Sequence, residues 1–83
     1  MSILEHVIDL TCALAHVEAS TVHVRIGRVD IPIRRYAAAA IVGNDEAGWA
    51  TGESAEAALS ELKAHLARRV LEQHALDGGA GRT

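Results

Sequence analysis

With 83 residues, 49% of them hydrophobic, and a formal net charge of −3, the chain has the size of one small domain and lacks the broadly basic surface of a bulk nucleic-acid binder. A core of this size leaves only marginal stability once chain entropy is subtracted, and self-association is one way to relieve that. Tyr36 and Trp49 are the only aromatic residues, so the core is aliphatic, and no apolar run is long enough to span a bilayer.

One cysteine, Cys12, excludes an intramolecular disulfide and points to a reducing cytoplasm. The stretch before Arg25 holds Glu5, Asp9 and Glu18 but no Lys or Arg, so the basic start of a secretory signal is missing.

Two patterns compete at the amino terminus. Ser2 followed by Glu5 fits a capping box, and Ile3, Val7, Leu10, Leu14 and Val17 recur at helical spacing, which predicts a helix over 3–17. Ile8, Leu10, Cys12 and Leu14 also alternate with Asp9, Thr11 and Ala13, as a strand would.

The next segment, "TVHVRIGRVDIPI", alternates plainly. Val22, Val24 and Ile26 fall on one face and His23 and Arg25 on the other, with Gly27-Arg28 suited to a two-residue hairpin turn. Val29, Ile31 and Ile33 resume the pattern, Pro32 favours an edge or bulge, and a bend over Arg34, Arg35 and Tyr36 precedes the strand "AAAAIV". "GNDEAG" (43–48) reads as a turn into a short third strand around Trp49 to Thr51.

From the N-cap Ser54, a stripe of Ala55, Ala58, Leu59, Leu62, Leu66 and Val70 predicts a closing helix to about Leu76. The expected organisation is therefore a single compact domain over 1–76 with a flexible tail over 77–83. Its fold class is α+β in the order α-β-β-β-α, a three-stranded antiparallel sheet with helices packed on one face.

That order resembles the double-stranded-RNA-binding-domain type of fold. Such a domain grips phosphate with basic residues where its last helix begins, but here Glu53 and Glu56 stand there. Acids at those positions repel phosphate, so direct nucleic-acid binding is not expected. They complement the helix dipole instead, as do Arg68 and Arg69 expected near its end.

Residues 34–72, through Tyr36, Gly48, Thr51, Gly52, Ser54, Glu56, Ala58 and Leu59, resemble HicB-like antitoxins, which implies a toxin-binding role. The Pro-Asp-Leu-Pro-Gly-like stretch of that family is absent, so the antitoxin reading stands second.

No catalytic signature emerges, and a non-enzymatic role without cofactor or metal is expected. Cys12 and His16, four apart, would share a helix face, but two ligands do not make a zinc site. Ser54 in "TGESA" has a sufficient role as a cap, and "GGAG" lacks the following helix of a phosphate loop.

Charge segregation then nominates two surfaces. Asp45, Glu46, Glu53, Glu56 and Glu61 form a candidate acidic surface for a basic nucleic-acid channel of a protein partner. Arg25, Arg28, Arg34 and Arg35 form a candidate basic hairpin, for carboxylates, self-association as a homodimer, or, as a third reading, nucleic acid. The first reading is thus a protein-binding inhibitor of the phage anti-defence (anti-CRISPR) type that blocks a nucleic-acid-handling effector by occlusion.

Overall fold

The computed structural model describes residues 2–30 and 35–80. The elements follow in the order α1 (Ile3–Ala15), a single 3-10 turn (Ala19–Thr21), β1 (Val22–Val29), β2 (Arg35–Val42), β3 (Asp45–Gly52) and α2 (Ala55–Ala80). The three strands form one antiparallel sheet in sequence order. This is the α-β-β-β-α arrangement that the sequence pattern leads to.

The amino-terminal ambiguity resolves as helix. The hydroxyl of Ser2 accepts the Glu5 amide at 3.2 Å, which anchors the first turn. Val7 and Thr11 are fully buried, and the Thr11 hydroxyl donates to the Val7 carbonyl at 2.7 Å, so a polar group in the core keeps its hydrogen bond. The helix stops short of Val17 because His16 takes the left-handed conformation, φ 57° and ψ 48°, and its amide turns back to the Cys12 carbonyl.

Gly27-Arg28 is not a turn. Both residues continue β1, opposite Ala37 and Tyr36 of β2, and the only positive-φ glycine among the described residues is Gly43. The connection between β1 and β2 falls later, so the readings placed on Ile31, Pro32, Ile33 and Arg34 lie outside the described residues. Arg35 and Tyr36 pair regularly, and the expected bend is absent there.

The second hairpin is tighter than "GNDEAG" implies. Val42 pairs directly with Asp45, leaving a two-residue Gly43-Asn44 loop with Gly43 at φ 63°, where a glycine is favoured. Strand β3 is accordingly longer than the stretch around Trp49 to Thr51. Its irregularity is one extra residue: Ile41 pairs with Glu46 and Ala40 with Gly48, so Ala47 bulges.

Ser54 caps α2 as expected, accepting the Ala57 amide at 3.0 Å on its hydroxyl and the Ala58 amide at 2.9 Å on its carbonyl. The helix runs past Leu76 to Ala80, through Gly78 and Gly79, residues that lower helix propensity without forbidding it. Helical backbone therefore occupies the first part of the expected tail, and Arg68 and Arg69 stand well before the last turn, which holds no basic residue.

Both helices cover the same face of the sheet, α2 across β3 and β2, and α1 beside α2 and β1. Val7, Ala38, Ala40, Ala58, Leu62 and Leu66 are fully buried between them. Alanines and Gly48 on the covered face let α2 lie close: a Cβ on Gly48 would stand 3.0 Å from Leu66 Cδ2, and one on Gly52 2.5 Å from the Ala58 amide nitrogen. Among the described residues, no helix lies over the opposite face of the sheet.

Candidate functional site

The uncovered face follows from strand alternation and register. Residues paired across an antiparallel sheet share a face, and side chains along each strand alternate between faces. Arg25, Ala39 and Trp49 form one cross-strand row, Gly27, Ala37 and Thr51 a second, and His23, Ile41 and Glu46 a third. The intervening residues Ala38 and Ala40 are fully buried on the helix side.

Trp49 dominates this face. It is 58% exposed, the largest apolar side chain that the fold leaves in water. Beside it lies a shallow depression of about 370 Å³, lined by Arg25, Gly27, Ala37, Ala39, Ile41 and Glu46 as well as Trp49 and the edge of Ala38. Its floor consists of small residues because β2 is a run of alanines. One cation, Arg25, and one anion, Glu46, stand at its sides.

The five candidate acids do not form one surface. Asp45 and Glu46 open β3 and Glu53 follows its end, so about 23 Å of strand separates the two groups. Glu46 faces the depression, whereas Glu56 lies in the first turn of α2. Glu61 sits about 10 Å farther along α2 from Ser54.

The arginines divide as well. Arg25 and Arg35 fall on the open face, two rows apart, while Arg28 alternates to the other face and pairs with Asp30, Nε to Oδ1 3.2 Å, both about half exposed. Such a pair contributes little to stability. Arg34 lies outside the described residues.

Cys12 and His16 do not share a helix face, because His16 has already left α1 in its left-handed conformation. Among the described residues, no group of three or more His, Cys, Asp or Glu side chains is placed to hold a metal ion. Among them, too, no helix is long and apolar enough to cross a membrane.

Sequence reasoning missed Trp49 as a surface residue. The signal was available in the architecture: three antiparallel strands with both helices on one face leave the other face bare, and Trp49 falls in phase with Arg25 on that side. The unbroken alanines of β2 hid the phase, since they offer no polar alternation to read.

No protein-family model matches the chain, and the searches of curated proteins and of solved structures give no match either.

Proposed function

We propose that this chain is a non-catalytic protein-binding domain whose working surface is the open face of its sheet. The observation that carries the reading is the exposure of Trp49 in a floor of small residues, with Arg25 in the same cross-strand row. Tryptophan and arginine dominate the energetics of protein interfaces because each offers a large contact area and a directed polar group. An exposed indole on a flat sheet is energetically out of place in water and gains by being covered.

A protein suits this face better than a nucleic acid. A single-stranded binder lays successive bases on several aromatic side chains along a basic groove. Here a single aromatic is followed by alanine, glycine and isoleucine, Glu46 stands within the depression, and the net charge is −3. Where the partner is a nucleic-acid-handling effector or a toxin, binding through this face inhibits by occlusion, the mode expected of an anti-CRISPR-type protein or of a HicB-like antitoxin.

Affinity capture from host lysate tests the surface. A protein held specifically by the wild type is expected to be lost with Trp49→Ala and kept when Glu53, Glu56 and Glu61 are all changed to Gln. Retention by Trp49→Ala together with loss in the triple variant would overturn the open face and favour an acidic docking surface.

A further inference from the structure

Resting on the reading of this face as a protein-binding surface, we infer that its occupant is a second copy of this chain, packed face to face about a two-fold axis that runs along β2. Under that operation three cross-strand rows of the face are complementary to themselves. The axis keeps each cross-strand row at its own level and exchanges β1 for β3 across the gap, so a side chain on β1 of one copy meets the β3 residue of the same row in the other.

The rows then match. Arg25 of each copy meets Trp49 of the other, with Ala39 over Ala39 on the axis. A guanidinium over an indole face is an attractive cation–π arrangement. One row toward the Gly43 turn, His23 meets the Glu46 carboxylate of the other copy, with Ile41 over Ile41. One row the other way, Gly27 meets Thr51.

Shape agrees with charge. The depression of about 370 Å³ walled by Arg25, Gly27, Ala37 and Ala39 offers the incoming Trp49 a hollow floored by small residues. A two-fold through the same row but perpendicular to the strands would instead stack Arg25 on Arg25 and Trp49 on Trp49, opposing like charges. The axis along β2 pairs Arg25 with Trp49 and His23 with Glu46; it also brings the two Arg35 side chains together at the far end of the sheet, where both are exposed and reach outward into water.

The face measures about 26 Å along the strands and about 14 Å across them. That is smaller than a standard protein interface, so pairing is weak and concentration-dependent. Two sheets packed in this way stand about 10 Å apart with strands nearly aligned.

Sedimentation velocity of the full chain from about 1 μM to about 1 mM covers the range of weak pairing. The wild type is expected to pass from monomer to dimer within the range. Arg25→Ala removes both cation–π contacts of the dimer and raises the Kd about tenfold or more. Ala39→Glu sets two carboxylates against each other on the axis and leaves a monomer throughout, with circular dichroism confirming an intact fold, while Glu53→Gln dimerises like the wild type.

A wild type that stays monomeric over the whole range overturns the inference. So does a dimer that survives Ala39→Glu, because the copies then meet elsewhere. Monomeric wild type with Trp49-dependent capture of a different protein overturns the second copy and leaves the protein-binding reading standing. Monomeric wild type without any Trp49-dependent capture removes both.

Discussion

Arg69 of α2 donates a hydrogen bond from its guanidinium to the backbone carbonyl of Ala47, the residue that the β3 bulge leaves without a ladder partner in β2. The extra residue breaks the regular pairing, and a long side chain from the covering helix reaches back to hydrogen-bond its carbonyl. The bulge therefore joins helix to sheet beside the turn end of β3, close to where Glu46 meets the open face.

Arg69→Met keeps much of the aliphatic stem and removes the donor. Because the side chain is exposed, the expected loss is about 1 kcal/mol, or about 4–8 °C in Tm for a domain of this size. Differential scanning calorimetry checks it, and Arg69→Lys should recover only part of the loss, since an ammonium lacks the forked reach of the guanidinium.

The two glycines under α2 should respond unequally to alanine. A Cβ on Gly52 would meet backbone atoms, Ala58 N at 2.5 Å and Ala57 C at 2.7 Å, and the first turn of α2 would have to move. A loss of about 3 kcal/mol is expected. At Gly48 the nearest atoms are the side-chain ends Leu66 Cδ2 at 3.0 Å and His65 Cδ2 at 3.1 Å, which can shift, so about 1 kcal/mol or less should be lost. Urea titration of the two variants separates these outcomes.

His16→Gly should stabilise the fold. The residue ending α1 holds φ 57° with a β-carbon, a conformation glycine adopts without steric strain. An increase of about 0.5–1 kcal/mol is expected in the free energy of unfolding, measured by chemical denaturation.

Gly27→Val tests the extended conformation of β1 at this residue. A glycine in a turn with positive φ would tolerate valine poorly, but Gly27 lies in an extended strand with open space around its Cβ position. The expected gain is about 0.5–1 kcal/mol in thermal unfolding. The same side chain narrows the hollow beside Trp49, so the variant should fold better and dimerise less.

Much of the architecture was legible because local chemistry and the global fold agree in the helices and in residues 22–26 of β1. Ser2 and Ser54 read as caps and serve as caps, and the stripe containing Ala58, Leu62 and Leu66 is the buried face of α2. What could not be read depends on register. Gly27-Arg28 has the composition of a turn, yet pairing with Ala37 and Tyr36 holds it extended. The alanines of β2 carry no hydropathy contrast, so their two faces are separable only through the strands beside them.

Legibility of the candidate site ran the other way. Grouping by charge gathered Asp45, Glu46, Glu53, Glu56 and Glu61 because they are near in sequence, but a strand of eight residues carries its two ends far apart. The arginines separated for a related reason, since Arg25 and Arg28 are three apart on a strand whose faces alternate every residue. Register instead joined Arg25 to Trp49, 24 positions away in the chain and two strands apart in the sheet.

Trp49 is the only tryptophan, so the fluorescence of the unmodified chain reports on the surface in question. The decisive measurement is its emission spectrum through a dilution series. If a second copy covers the open face, the concentrated protein emits at shorter wavelength and shifts to longer wavelength on dilution, with a midpoint that matches sedimentation. Emission characteristic of a water-exposed indole at every concentration, unchanged by Ala39→Glu, would contradict the account.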